Sequence, residues 1–434
     1  MINSFDTFEE VLCAHSTNKI IPGLERIARL LSRLGNPQDS FKSIHIVGTN
    51  GKGSTGAFIS SIFQASGYKT GFYSSPHLES PGERLLIDGK ALSPEKWLEA
   101  ADEVITKIFP NESLPSYFEL LTACAFLLAR KENIDVGVIE AGLGGKLDAT
   151  NTMSNTVCSV IASISIDHTE YLGPTLESIA GEKFDVVKSD TPACFAGVDE
   201  SLLPMFKRVC AEKFAKPFIV PECVKLDNVN ISPESNVFDF RSQLLNLNNV
   251  HTNLIGKYQI NNAALALSAI ACVKDSFPKI SHDSILEGMR KASWPGRLEI
   301  ISRNPVMILD GGHNFDGVKN LCESVKSLWP AKNFSVVYAA MRDKNYPGCI
   351  GLLNKFLKPK IYFTTVPGMS RACPPEEVLN AAKNFTWSNS PESFVSPFDA
   401  ISRAKLNQND ITLVCGSLYL LGWLKSNLPS HICS

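Results

Sequence analysis

Lys52, Ser54 and Thr55 lie in the run Gly48-Thr49-Asn50-Gly51-Lys52-Gly53-Ser54-Thr55. Four strand-like residues, Ile44 to Val47, precede it, and a helical pattern runs from Thr55 to Ala65 with Phe58, Ile59, Ile62 and Phe63 on one side. Strand, glycine loop and helix in that order form a setting in which phosphate is bound. The glycines let backbone N–H groups converge on phosphate oxygens without a Cβ in the way, and the helix N-terminus adds its positive end. Lys52 supplies a point charge to the outer phosphates, and Ser54 or Thr55 a hydroxyl near Mg²⁺. The spacing is unusual, with two residues rather than four after the first glycine and with Gly53 placed before Ser54. A Gly-rich structural turn is the alternative, but it does not require the lysine and the hydroxyls.

Mg²⁺ takes hard oxygen ligands and keeps several waters, so one or two carboxylates plus phosphate suffice. Glu140 ends a strand-like run and is followed by the flexible Gly142-Leu143-Gly144-Gly145. Ser75, in Ser74-Ser75-Pro76-His77, can add a hydroxyl; His168 is a softer ligand. Taken singly, Glu140 reads equally as a solvated strand end and His168 as a core histidine bonded to backbone.

These groups need a frame. Lys69 to Tyr73, Val136 to Ile139 and Val157 to Ile166 read as strands. Pro94 to Ile108, with Ser93 as N-cap, and Tyr117 to Arg130 read as helices, the second apolar all round and so enclosed. Two helices with a break near Pro22 occupy residues 5 to 34. Alternation at Val237 to Phe240 suggests hairpins, and Asn261 to Val273 an Ala-rich helix. A second strand and helix series follows Pro295, with strands at Val306 to Leu309, Phe334 to Tyr338, Ile361 to Thr365 and Ile411 to Val414, and a helix at Phe315 to Trp329. Alternating strands and helices imply an α/β fold with a parallel sheet, whose ligands sit beyond the carboxyl ends of the strands. Gly48, Ser75, Glu140 and His168 would all lie at such ends.

At 434 residues the chain has room for two or three domains. With 44% apolar and 20% charged residues it is an ordinary globular sequence, and a net charge of −2 supplies no basic field for nucleic acid or membrane. Met1 to Asp6 does not read as a signal peptide, and the longest nearly apolar run, Leu120 to Ala129, is about half a bilayer span. Twelve scattered cysteines without a C-x-x-C pair suggest buried thiols in a reducing cytoplasm.

Beyond this generic pattern, nine blocks resemble the folylpolyglutamate synthase/dihydrofolate synthase family of Mur-type ligases. They are the loop Gly48 to Ser54, Ser74 to Leu78, Tyr117-Phe118-Glu119, Glu140 to Asn151, Asp167-His168-Thr169, Pro295 to Glu299, Asp310 to Asn314, Met341 to Lys344 and Gly416 to Tyr419, in the family's order. The resemblance implies a P-loop-type parallel-sheet ATPase domain, residues 1–294, followed by a smaller Rossmann-like α/β domain, residues 295–434, with the reaction in the cleft between them. It implies ATP contacts from Asn50, Gly51, Lys52, Gly53, Ser54, Thr55, Asn262, Arg297 and Asp310. It implies Mg²⁺ at Ser75, Glu140 and His168, a monovalent cation such as K⁺ being left open. The pterin part of the substrate would lie near Phe118, Glu119, Leu147, Asp148 and Ala149. The partners implied are ATP, glutamate and dihydropteroate or a folate, acted on by a cytoplasmic monomer.

The family joins the amino group of glutamate to a carboxylate. A carboxylate does not react with an amine at neutral pH because its leaving group is oxide. Transfer of the γ-phosphoryl group first makes an acyl phosphate, which requires a cationic site to bring two anions together. Lys52 and Arg297 are the cations, and His313 is expected to position ATP or glutamate. Lys183 aligns with a lysine that the family carbamylates; the family's usual Ala-Gly after it is here Phe184-Asp185, and Asp185 is considered as a substitute anion. The Leu147 to Asn151 block argues against a peptidoglycan precursor as substrate. A small-molecule kinase is the alternative from another class.

Overall fold

The structure, a computed structural model, describes residues 5–17, 21–406 and 410–427. Residues 1–4, which open the stretch read as no signal peptide, and residues 18–20, beside the expected break at Pro22, lie outside the described residues. The chain divides into two compact units. The first comprises Met1–Val229, Val237–Asn253 and Asn261–Ser293; the second comprises Asn230–Asn236, Leu254–Ile260 and Trp294–Ser434. The division is therefore discontinuous, with two short upstream segments counted with the second unit.

In the first unit, eight strands form one sheet: β1 (Lys42–Val47), β2 (Thr70–Tyr73), β3 (Leu85–Ile87), β4 (Lys90–Ala91), β5 (Val136–Glu140), β6 (Thr156–Ile161), β7 (Pro192–Phe195) and β8 (Lys216–Ile219). Their order is β4-β3-β2-β5-β1-β6-β7-β8. The six strands from β2 to β8 in that order run parallel, and β3 and β4 form an antiparallel edge. Central strands of such a sheet are covered on both faces, and β5 is buried throughout. The chain leaves β1 for β2 and β5 on one side, then crosses to β6 on the other, so the winding reverses at β1. The crevice at the carboxyl end of a strand where winding reverses is where open α/β sheets bind ligands.

Three helices carry or brace the residues at that crevice. Lys52–Ala65 leaves β1, with Phe58, Ile59, Ile62 and Phe63 fully buried. Tyr117–Lys131 is buried without a break from Glu119 to Ala129, as its all-round apolar character requires. Leu176–Phe184 is anchored by Phe184, which stacks with Phe195 and Phe206 at centroid separations of 5.2 Å.

Several expectations change. The strand expected to reach Ile166 stops at Ile161, because residues beyond it bond to the loop after β1 instead of to the sheet. The helix expected from Asn261 begins a turn earlier, at Lys257. The helix opening at Pro94 ends at Ile105, and the side chain of Ser93 caps no backbone N–H. Val237 to Phe240 lies in the middle strand of a separate sheet of β9 (Lys225–Ile231), β10 (Asn236–Arg241) and β11 (Asn246–Thr252), ordered β11-β10-β9. Hairpin turns close it, Ser232 N–H donating to the Ser235 carbonyl and Ser242 N–H to the Leu245 carbonyl.

The second unit holds a six-stranded sheet of β12 (Glu299–Arg303), β13 (Val306–Leu309), β14 (Phe334–Tyr338), β15 (Lys360–Phe363), β16 (Glu392–Ser393) and β17 (Ile411–Cys415), ordered β12-β13-β17-β14-β15-β16. All neighbours are parallel except β12 on β13. The helix Phe315–Leu328 buries Val318, Leu321, Val325 and Leu328 against it. All eleven cysteines among the described residues are free thiols. No helix among the described residues is long and apolar enough to cross a membrane.

Candidate active site

The loop after β1 is shaped by two glycines in backbone conformations that side chains resist. Gly48 has φ +152°, and a Cβ there would lie 2.8 Å from that of Ala162; Gly51 has φ +90° and faces the Asn262 side chain, which a Cβ would strike. Gly51 opens the helix Lys52–Ala65, which no side chain caps. Thr49 ties the loop to the segment after β6: its N–H donates to the Ser163 carbonyl at 2.7 Å and its hydroxyl to the Ser165 carbonyl at 3.0 Å. Ser163 donates to the Asn50 carbonyl at 3.1 Å. These bonds hold residues 162–168 beside the loop, which is why β6 ends early.

Three charged groups gather at this loop. Lys52 Nζ donates to the carbonyls of Gly48 and Thr49 at 3.2 and 3.3 Å and lies 3.7 Å from the buried Glu140 carboxylate. Lys183 Nζ, almost wholly buried, donates to the same Gly48 carbonyl at 2.9 Å. Burial, with the neighbouring Lys52 charge adding to it, brings the Lys183 ammonium down from an ordinary value of 10.5 to about 7. Asp167 acts the other way on Lys183. Asp167 was not among the residues selected from sequence, although it adjoins His168 in the same block. Asp185 is not a substitute anion for this site: its carboxylate pairs with Lys213 at 3.4 Å.

The other candidates for a metal are less gathered. Ser75 follows β2, whose Tyr73 pairs with Ile139, so Ser75 and Glu140 leave neighbouring strands at nearly the same level. His168 does not end a strand; it has a left-handed backbone (φ +51°), opens the short helix Thr169–Leu172, and its side chain is 43% exposed. Its N–H bonds the Asp167 carboxylate at 2.9 Å. Among the described residues no three His, Cys, Asp or Glu side chains form a metal cage.

The loop after Glu140 carries the residues expected to meet the pterin. Phe118 packs so closely on Gly142 that a Cβ there would come within 2.5 Å of the ring. Glu119 closes the N-terminus of its helix: one carboxylate oxygen accepts the Ser116 N–H at 2.6 Å and Arg26 Nε at 3.2 Å. Its other oxygen is buried with no hydrogen-bond partner among the described residues. Asp148 is buried and accepts N–H groups from Leu143 at 2.8 Å and Thr150 at 3.0 Å and the Thr150 hydroxyl at 2.5 Å. Burial raises its carboxyl above the ordinary range against those bonds. Ala149 is buried, whereas Leu147 is 44% exposed. Nearby, Arg84 Nε donates to His77 Nδ1 at 3.0 Å, and burial and that charge hold His77 down at about 4. Arg84 carries no spacing signal that would single it out in the sequence.

In the second unit, Asp310 follows β13 and is nearly inaccessible. Its carboxylate accepts the Tyr258 hydroxyl at 3.1 Å, the Leu298 N–H at 2.9 Å and the Gly312 N–H at 2.8 Å. Burial raises its pKa while Arg297 opposes the rise. Arg297 lies over Gly311, where a Cβ would be 2.9 Å from the guanidinium. His313 Nδ1 bonds the Gly311 carbonyl at 2.9 Å.

Residues 46–270 match the Mur ligase middle domain and residues 296–418 the Mur ligase, glutamate ligase domain. The dihydrofolate synthase/folylpolyglutamate synthase of Bacillus subtilis is 34% identical over 417 residues, which is 94% of this chain and 95% of that one. Among solved structures, E. coli FolC in complex with DHPP and ADP aligns with a TM-score of 0.88 at 28% identity, covering 98% of this chain and 97% of that one. The Yersinia pestis bifunctional folylpolyglutamate synthase/dihydrofolate synthase complexed with AMPPNP and Mn ion aligns at 0.86 with 26% identity, covering 98% of each chain.

Proposed function

This chain belongs to the dihydrofolate synthase/folylpolyglutamate synthase family of Mur ligases, and from that premise we propose how its residues carry the reaction. It is an ATP-dependent ligase that joins glutamate to dihydropteroate and to folates. The observation that carries the assignment of residues is the convergence of Lys52, Glu140 and Lys183 on the Gly48 loop.

The loop fits a nucleotide, since Gly48 and Gly51 give it a backbone path that side chains resist and no side chain among the described residues caps the helix that follows. Asn50, Gly51, Lys52, Gly53, Ser54, Thr55 and Asn262 hold the phosphates and their surroundings, with Arg297 and Asp310 as further nucleotide contacts. The hard carboxylate of Glu140 fits Mg²⁺, with Ser75 and His168 completing the set. When bound, that ion would neutralise phosphate charge. Lys52 orients the γ-phosphate and balances its charge as the substrate carboxylate attacks phosphorus. The P–O bond to ADP breaks and an acyl phosphate forms. The glutamate amine, having lost its proton, then attacks the acyl carbon, and phosphate leaves. His313 positions ATP or glutamate.

A neutral amine is the form that adds CO₂. The low pKa of Lys183 makes that form accessible near neutrality, which supports carbamylation despite Phe184-Asp185. Phe184 fills the aromatic core rather than the site. Phe118, Glu119, Leu147, Asp148 and Ala149 line the pterin side. Residues 1–294 serve nucleotide and pterin binding and residues 295–434 glutamate ligation, in a cytoplasmic monomer; a need for K⁺ is checked by titrating activity with the salt.

The test is phosphate release with dihydropteroate, then with tetrahydrofolate, each with and without glutamate. Turnover dependent on glutamate is expected for both. Heavy oxygen placed in the substrate carboxylate should appear in the released phosphate; its absence removes the acyl phosphate step.

A further inference from the structure

The loop after Glu140 is joined to the strand feeding the phosphate loop by buried hydrogen bonds that the chemistry above does not use. His45 lies in the middle of β1 and is wholly inaccessible. Its Nε2 is 2.8 Å from the Thr150 hydroxyl, which is 2.5 Å from Asp148. With Asp148 ionised, which its two backbone N–H bonds favour and its burial opposes, the Thr150 hydroxyl donates to it. The Thr150 oxygen then accepts from His45 in its Nε2–H tautomer. Burial, with Lys188 adding to it, keeps this ring neutral, with a pKa of about 3. Its Nδ1 is left buried with no hydrogen-bond partner among the described residues. Such an atom is destabilising, and an apolar side chain of similar shape would remove the cost.

The chain of bonds continues and returns to its own strand. Asp148 holds the Leu143 N–H; Lys146 N–H donates to the Glu182 carbonyl at 2.8 Å; and Gly145 is pressed against Glu182 and Lys183. Lys183 then donates to Gly48, three residues beyond His45. The same loop seats Phe118 on Gly142.

We infer that His45, acting through Thr150 and Asp148, is a positioning residue of the ligase reaction, holding the loop of residues 142–148 in register with the phosphate loop. It sets the wall against which the pterin lies and the seat of the Lys183 helix. The inference rests on the proposed placement of the pterin at Phe118 and Asp148.

Steady-state kinetics of the full chain, with dihydropteroate and ATP varied separately, test it. His45→Phe and Thr150→Val should each lower kcat/KM for dihydropteroate by about 10- to 100-fold, as loss of a supporting hydrogen bond behind a reactive group does. The KM for ATP should move less than about threefold. His45→Gln, which keeps an N–H near the position of Nε2, should recover most of the loss. The double variant should be no worse than the poorer single one, since both cut the same chain. Two active single variants indifferent towards dihydropteroate would overturn the inference, as would equal losses for both substrates. If His45→Phe does not fold, Thr150→Val, which exchanges a hydroxyl for a methyl, decides alone. A parent enzyme without glutamate-dependent turnover of dihydropteroate would overturn the substrate placement and the inference with it; an active parent with indifferent variants overturns the inference alone.

Discussion

β1 in the first unit and β13 in the second both run into a loop containing glycine and then into a helix, yet the two loops end differently. After β1 the helix begins at Lys52, its N-cap Gly51 offering no side chain, and among the described residues Lys52 bonds carbonyls of its own loop and approaches Glu140. After β13 the helix Phe315–Leu328 is capped by Asn314, whose side chain accepts the Gly317 N–H at 2.8 Å. Asp310, with three bonds to its own unit, fastens the Leu298 and Gly312 backbone. A helix start satisfied by its own side chain has less to offer an anion than one left open. The same strand, loop and helix order thus leaves the helix start open in one place and caps it in the other.

Substitutions can break this contrast. Lys52→Ala should have the largest effect, cutting turnover of both acid substrates by about 10²- to 10³-fold, the usual cost of removing a group that meets developing charge; activity near the parent's would make the first loop architectural. Gly51→Ala forces a side chain into a left-handed conformation, at about 1–2 kcal/mol, and into Asn262. ADP binding measured by calorimetry should weaken at least tenfold, about what 1.4 kcal/mol implies.

Lys183 adds a pH signature to the first loop. Its folded pKa, about 7, lies below the unfolded value. Between about 7 and about 10 the unfolded chain binds more protons, so this group makes stability rise with pH across that window and imposes its full penalty below it. In CO₂-free buffer, where the amine is unmodified, Lys183→Met should therefore raise Tm most near pH 6 to 7 and least near pH 10; turnover should be abolished. A gain in Tm independent of pH would contradict the assignment.

In the second loop, Asp310→Asn should cost about 1–3 kcal/mol by denaturant titration, because one buried donor loses its acceptor. The proposed nucleotide contact of Asp310 adds a weaker binding of ATP; unchanged ATP binding at that loss of stability would leave Asp310 its fastening role alone. The smallest effect expected is that of Asn314→Ala, about 1 kcal/mol for a lost cap, with the KM for ATP unmoved.

The helices and strands that bear the first loop were legible because their signals are local. β1, the helix after it and the enclosed helix at Tyr117 follow from periodicity over a few turns. The early end of β6 was not legible, since Ser163 and Ser165 are drawn off by Thr49, more than a hundred residues away. Glu119 and Asp148 were selected by resemblance alone, which is silent on what their oxygens hold. The cap of Ser116 and Glu119 has a readable spacing, and the link from His45 to Asp148 has none.

The sequence by itself determined the alternation of strand and helix, the glycines of the loop after β1 and the family whose blocks it carries, because each depends on residues close together in the chain. Which charges face one another was decided only by the tertiary structure. Lys183 lies 135 positions from the carbonyl it bonds, and its pKa depends on the burial that this folding creates. His45 became a candidate only once a strand and a distant turn were brought within 2.8 Å.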